Sequence, residues 1–246
     1  MVWRSIKNTG KVKEFHKAIP GGDGKIKIGE FLGDVLDQFA RVSTSLYDNI
    51  GDHLFAYSER QLSAIFLPAF YSMGLGAMQE APTRRGDLDK SSHAWLDYWV
   101  ESNGNRVYLI EVKHHWYMLG GKYQKEADEK NQAAIQQLER ISQEEVDYLS
   151  CVNSTHKISM MVMPVYRNIL HSETECDEDG TEVEPEPITT DDFEEHVSDV
   201  VNEVSGSMSW VGGWLLPERM QESFESTKID GYRAFPGVIL MAKVVN

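Results

Sequence analysis

The spacing of apolar residues divides the first half of the chain into helical and extended segments. Apolar positions recur every three or four residues over residues 28–47 and again over 53–73, and this period predicts two amphipathic helices. Two continuous apolar runs follow, at residues 93–100 and 106–115. The Ser-Asn-Gly-Asn sequence between them is a turn signal, so the two runs are predicted to form a β-hairpin.

The second half continues with a helix and then a strand. Residues 122–149 have the period of a long helix, and its inner stripe consists of Ile135, Leu138, Ile141 and Val146. Residues 157–166 predict a strand buried on both faces. A helix at 192–204 and a strand at 237–245 complete the pattern, whereas residues 1–25 show no clear period and 74–91 read as an irregular connection. The prediction is an α/β fold with a mixed sheet flanked by helices.

Charged residues interrupt both apolar runs of the hairpin. Asp97 lies in the middle of the first run, and Glu111 and Lys113 lie near the end of the second. Side chains alternate across a strand, so Glu111 and Lys113 are predicted to share one face. An unpaired charge is costly to bury in a strand, so three charged residues on one strand pair predict a metal-ion site.

The hairpin register provides a test of this site. A two-residue turn would place Asp97 and Glu111 on opposite faces of the sheet. A three-residue connection with a glycine bulge instead pairs Glu101 with Asn105, which sets Glu111 opposite Trp95 and makes Asp97 its diagonal neighbour. A shared metal therefore requires a connection of odd length or a bulge.

Glu59 is a further acidic candidate. In the predicted helix over 53–73 it falls on a face whose other members are apolar: Phe55, Leu62 and Phe66. A carboxylate on such a face costs free energy unless a cation or a metal meets it. Glu59 is therefore either a site residue or a boundary residue paired with a neighbouring arginine, for which the candidates are Arg60, Arg84 and Arg85.

The order helix, hairpin, helix, strand, with Asp97 on one strand and Glu111-Val112-Lys113 on the next, resembles the PD-(D/E)XK nuclease superfamily. The resemblance covers residues 51–166 and implies a restriction-endonuclease-like core. The same spacing also occurs at Asp23-Gly24-Lys25 and Asp128-Glu129-Lys130, but only Glu111-Val112-Lys113 ends an apolar strand with an acidic partner strand. Leu96 stands where the family name indicates proline.

The resemblance implies hydrolysis of DNA phosphodiester bonds with Mg²⁺ or Mn²⁺. The matching family positions make Asp97, Glu111 and the Val112 carbonyl the metal ligands, with Lys113 positioning or activating the attacking water. The first core helix of many members adds a glutamate, which Glu59 matches. Such a metal suits this reaction because it neutralises phosphate charge and makes water nucleophilic near neutral pH.

The net charge of −15 at first argues against a nucleic-acid partner. Twelve of the acidic residues lie between 173 and 195, however, where there is no lysine or arginine, and the rest of the chain is nearly balanced. This segment is either a solvated loop or a regulatory segment that competes with nucleic acid for a basic groove. The charge therefore does not exclude DNA.

Other sequence features limit the compartment. No apolar stretch is long enough for a membrane helix, and the first residues lack the apolar core of a signal peptide. The two cysteines, Cys151 and Cys176, do not form a disulfide framework. A cytoplasmic protein that does not associate with membranes is expected.

One domain, 1–246, is predicted, divided into an N-terminal helical elaboration (1–50), a nuclease-like core (51–168), an acidic loop (173–195) and a C-terminal helix and strand (196–246). Whether the protein forms a homodimer stays open. Two alternatives to the nuclease also stay open. In the first, the protein is a catalytically inactive nuclease-fold binding or assembly protein whose acidic loop engages a basic partner. In the second, the chain has a different α/β fold and the hairpin charges are incidental, for example a cross-strand ion pair.

Overall fold

The computed structural model of the chain describes residues 2–20, 24–85, 92–102, 106–122, 125–142, 144–146, 154–171, 186–225 and 229–245. Four helices are described: α1 (Lys25–Ile50), α2 (Glu59–Ser72), α3 (Lys125–Glu139) and α4 (Thr190–Val204). Ten strands are described: β1 (Arg4–Ile6), β2 (Gly10–Lys17), β3 (Gly76–Arg85), β4 (Ser92–Ser102), β5 (Arg106–His114), β6 (Tyr117–Met118), β7 (Ser154–Leu170), β8 (Trp210–Leu215), β9 (Ser223–Glu225) and β10 (Gly231–Val245).

All ten strands belong to one mixed sheet. Its order is β1-β2-β8-β10-β7-β5-β4-β3, with β6 beside β7 and β9 beside β10. The short β6 and the longer β5 run parallel to β7, and the other pairings are antiparallel. The predicted α/β class with a mixed sheet is therefore confirmed.

Helices cover both faces of this sheet. On one face, α1 and α2 pack on alternate residues of β5, β7 and β10, such as Ile110, Val162 and Leu240. The intervening residues face α3 and α4 on the other side, as Leu109 and Ile239 do. The central strands are apolar on both faces because helices bury them from both sides.

The strongest periodic segments form the elements that their sequence predicts. Helix α1 extends the predicted 28–47 by one turn or less at each end and stops at Gly51, whose φ of 71° suits glycine. Strands β7 and β10 include the predicted 157–166 and 237–245. These segments were predictable because their buried faces follow the period of a single element over many residues.

The helix predicted over 53–73 is wrong in its first part. The chain makes a short 3₁₀ turn, Leu54–Ala56, and begins α2 only at Glu59, after an extended Ser58. Phe55 is buried from this turn rather than from a helix face. Glu59 is therefore the first residue of α2, where it keeps its helical spacing to Leu62 and Phe66 but no longer shares a helix with Phe55.

The long helix predicted over 122–149 is also wrong, because α3 ends at Glu139. The helical residues that follow, 144–146, belong to a new start: the Glu145 backbone N–H donates to the Ser142 hydroxyl at 3.1 Å. Serine followed three residues later by glutamate is a capping signal. This local signal competes with the longer apolar period and ends the helix.

Several strands form where the sequence predicted none. The first 24 residues contribute β1 and β2, and the supposed irregular connection contains β3, which lies at the sheet edge and so tolerates Pro82. Beyond α4 there are three strands rather than one. Helix α4 begins at Thr190, so the predicted acidic loop does not extend to residue 195, and most of that loop, 172–185, lies outside the described residues.

Candidate active site

The site begins at the β4–β5 hairpin, whose register decides where Asp97 lies. Ser102 pairs with Arg106 and Tyr98 pairs with Ile110, so the connection has three residues, 103–105, which lie outside the described part. The predicted odd length is confirmed. The pairing itself is shifted by two residues from the predicted one, because Glu101 lies opposite Val107 rather than Asn105.

The neighbouring pair β3–β4 is interrupted at Asp97. Pairs on either side are intact, Gln79 with Tyr98 and Ala81 with Leu96, but Glu80 adopts a φ of 49°, which is rare outside glycine. Leu96 packs on the α3 face while Tyr98, two residues on, packs on the α1–α2 face. In a regular strand they would share a face, so the strand changes faces at Asp97.

Strands β4 and β5 separate immediately beyond the pair Tyr98–Ile110. In place of a backbone partner, the Val112 N–H donates to Asp97 Oδ2 at 2.7 Å. The next N–H that faces β4, that of His114, donates to Glu59 Oε2 at 3.2 Å. Two carboxylates therefore satisfy the backbone of β5 where its partner strand leaves it.

Two lysines reach the same place. Lys113 Nζ lies 3.6 Å from Glu59 Oε2, and its side chain is only 17% exposed. Lys130 of α3 donates from Nζ to the His114 carbonyl at 3.2 Å and also pairs with Glu126 at 3.1 Å. Each amine is held by a partner that a phosphate oxygen could replace.

His114 links the end of β5 to the turn that carries Glu59. Its Nε2 lies 2.9 Å from the Phe55 carbonyl, and since a carbonyl only accepts, Nε2 carries the proton. Burial lowers the pKa of His114, with a further lowering from Lys130. The neutral ring therefore ties the turn Leu54–Ala56 to β5 and helps to position the start of α2.

These groups surround an open cavity of about 870 Å³. Glu59, Asp97, Val112, Lys113 and Lys130 line it. Glu111, which was predicted to be a metal ligand, is 2% exposed and is not among the lining residues. The structure therefore brings Asp97, Glu59 and Lys113 to one cavity and buries Glu111 in the sheet beside it.

The oxygen atoms around the cavity are the candidate ligands for a hard divalent cation. Among the described residues, no group of three or more His, Cys, Asp or Glu side chains is close enough to hold a metal ion. Mg²⁺ is commonly held by one or two carboxylates and keeps several waters. Asp97 provides one carboxylate, and the Val112 carbonyl faces the same gap as the Val112 N–H. In ligand type, one carboxylate and one carbonyl oxygen are what a largely hydrated Mg²⁺ accepts from a protein.

Some lining residues were missed from the sequence. Glu80 also lines the cavity, and Lys130 comes from the opposite helical layer. The only local signal for Lys130 was its place on a polar helix face, which does not distinguish a site from solvent. Glu59 pairs with Lys113 rather than with the described Arg60, while the Arg84 and Arg85 side chains lie outside the described residues.

Comparison with known proteins found no family model, curated protein or solved structure that matches the chain. No described helix is long and apolar enough to cross a membrane. The chemistry of the site therefore has to be argued from its own residues.

Proposed function

We propose that the protein is a metal-dependent nuclease of the PD-(D/E)XK type that hydrolyses DNA phosphodiester bonds. One observation carries the proposal: Asp97, Glu59 and Lys113 converge on an open cavity where β4 leaves β5. Carboxylates beside an amine are the groups that phosphodiester hydrolysis with a divalent cation needs. The three groups come from the start of α2, from β4 and from β5, and they meet where the pairing of β4 with β5 ends.

The proposed roles follow from position. Asp97 and the Val112 carbonyl would hold Mg²⁺ or Mn²⁺, and Glu59 would add a second negative charge beside the metal. When bound, the metal neutralises phosphate charge and lowers the pKa of a water. Lys113 orients the attacking water and stabilises the negative charge that develops on the phosphate oxygens. Glu111 is buried and does not line the cavity, so it is not among the residues that would hold the metal.

Cleavage of supercoiled plasmid, linear duplex and single-stranded DNA in Mg²⁺, Mn²⁺ and EDTA tests the proposal. Lys113→Met and Asp97→Asn should each reduce the rate by about 100-fold or more, the usual loss when one group that stabilises the transition state is removed. Lys27 and Glu30 form an exposed ion pair on α1, so Lys27→Met and Glu30→Gln are matched controls that should cleave at the wild-type rate.

Cleavage that Lys113→Met or Asp97→Asn leaves unchanged, or that persists in EDTA, would contradict the proposal. A second function is favoured by a specific observation: Glu111 is buried, and two of the three cavity carboxylates, Asp97 and Glu59, already accept backbone N–H groups. If no DNA is cut but DNA or a basic partner binds, the protein is an inactive nuclease-fold binding or assembly protein.

A further inference from the structure

A half-buried aromatic cluster lies beside the cavity, just beyond the end of β5. Trp116 follows the site strand, and its ring centroid is 6.4 Å from that of His114. Tyr166 of β7 meets Trp116 edge-on at 5.5 Å. The Arg233 guanidinium lies over both rings, with Cζ 5.0 Å from the Trp116 centroid and 4.6 Å from that of Tyr166. Trp116, Tyr166 and Arg233 are named the aromatic platform.

The topology places this platform at the same end of the sheet as the cavity. Strands β5 and β7 are parallel, so their carboxyl ends lie at one edge, and β6 continues the pairing with β7 beyond the site. Ligands of open α/β sheets bind at such edges. Phe235, which is buried, packs edge-on beneath Trp116 at 5.7 Å and gives the platform a rigid floor.

The Arg233 guanidinium is not paired with a carboxylate of the described residues. Its Nε donates to Asn168 Oδ1 at 3.4 Å, and within the described ranges it has no carboxylate partner. A guanidinium close to aromatic rings can still donate N–H groups to a phosphate and offers a planar surface for stacking. In a protein of net charge −15, this arrangement favours an anionic, aromatic ligand.

We propose that the aromatic platform binds an unpaired nucleobase next to the phosphate in the cavity, so that the substrate is single-stranded DNA. This inference rests on the proposed nuclease function. Every base has a π-face that stacks on aromatic rings and on arginine, whereas bases within a duplex are covered by their neighbours. His114 connects the two regions, because its backbone N–H donates to Glu59 and its ring centroid lies 6.4 Å from that of Trp116.

Three other tryptophans show why Trp116 is chosen as the stacking residue. Trp210 and Trp214 are about 1% exposed or less and belong to the core. Trp95 is 65% exposed on β4 but does not line the cavity, and it is therefore the matched control for a general effect of a surface tryptophan.

The test is binding of a fluorescent twelve-residue oligo-dT and of a matched duplex, measured by anisotropy in EDTA so that nothing is cut. The wild-type protein should bind oligo-dT more tightly than duplex. Trp116→Leu should raise the Kd for oligo-dT by roughly 5- to 100-fold, the range for loss of one stacked base. Arg233→Lys keeps the charge and should also weaken oligo-dT binding, while Trp95→Leu should not.

Equal oligo-dT binding by wild type, Trp116→Leu and Arg233→Lys would overturn the inference, and so would an equal loss in Trp95→Leu. Thermal melting shows whether Trp116→Leu is folded. If it is not folded, oligo-dT binding by Arg233→Lys tests the inference by itself. The two proposals can be disproved separately. If DNA is cleaved but the platform variants bind oligo-dT as wild type does, only the platform inference is wrong. If oligo-dT binding depends on the platform but no DNA is cleaved in Mg²⁺ or Mn²⁺, only the nuclease proposal is wrong.

Discussion

Two regions of the sheet differ in strand pairing, burial and charge. One is its centre, formed by β7 and β10, and the other is its corner, formed by β3, β4 and β5 around Asp97. From Gly237 to Val245, β10 pairs with β7 without interruption, and nearly every side chain is buried between helices. At the corner, Asp97 is paired with neither neighbouring strand: the β3–β4 ladder is interrupted there and the β4–β5 ladder has ended. Carboxylates accept the N–H groups of β5 that are left without a backbone partner. Regular pairing stabilises the fold, and its interruption exposes polar groups to a ligand.

The largest expected effect tests the centre. Leu240 is 1% exposed and packs against the α1–α2 layer. Leu240→Ala should lower the free energy of unfolding by about 2–5 kcal/mol, because it removes buried area and leaves a cavity. Denaturant unfolding measures this loss. The cleavage rate per folded molecule should stay at the wild-type value, and a specific loss of activity would show that centre and corner are not separable.

A second prediction concerns a titratable ring buried among apolar groups. Burial against Tyr47, Phe55, Phe224 and Phe235 lowers the pKa of His53 to about 4. The unfolded chain, with an ordinary pKa near 6.5, binds the proton first, so stability is full above about pH 6.5 and falls as the pH drops toward 4. His53 contributes up to about 3 kcal/mol to this loss.

His53→Phe should flatten the curve of unfolding free energy against pH between about 6.5 and 4, as measured by denaturant unfolding at each pH. His114 at the corner has a pKa lowered in the same direction, so some pH dependence should remain. An unchanged curve in His53→Phe would mean that His53 is not buried as a neutral ring.

The third prediction distinguishes the contribution of Asp97 to stability from its contribution to cleavage. Asp97→Ala should lower the free energy of unfolding by about 1–3 kcal/mol, because the Val112 N–H loses its acceptor. Asp97→Asn keeps an acceptor oxygen and should stay within about 1 kcal/mol of wild type, yet it should lose cleavage as Asp97→Ala does. If Asp97→Asn keeps wild-type activity, the corner is only structural.

The smallest effect concerns the strained residue opposite Asp97. Glu80 has a φ of 49°, so Glu80→Gly should raise the free energy of unfolding by up to about 1 kcal/mol. Asn8→Gly is the control, since Asn8 has a φ of 61° but asparagine tolerates this region, and it should gain only a few tenths of a kcal/mol at most. Thermal melting of both variants measures the difference, and a loss of stability in Glu80→Gly would show that its side chain holds the corner.

The sequence predicted the sheet centre better than the corner. Over β7 and β10 the apolar runs are long, so burial on two faces could be read directly. Strand β3 could not be predicted in this way, because Gly74, Gly76 and Pro82 suggest turns. Only the position of β3 at the sheet edge makes Gly76 and Pro82 compatible with a strand.

At the site, the odd hairpin length followed from the alternation of side chains, and Asp97 and Lys113 were identified by their charge on apolar runs. The change of face at Asp97 could not be predicted, since it depends on where β3 and β4 break their pairing. The burial of Glu111 could not be predicted either, since it depends on how the layers pack around β5. Glu59 reaches the cavity as the first residue of α2, and Phe55, which was expected on the same helix, lies in the preceding turn.

Titration of Mn²⁺ into the protein tests the central claim, that the broken corner is a metal-dependent active site, most directly. Calorimetry should detect binding to wild type and to Glu30→Gln with equal affinity, while Asp97→Asn should weaken it about 10-fold or more, because a charged oxygen ligand is lost. Identical Mn²⁺ binding in all three proteins, or none in wild type, would contradict the account.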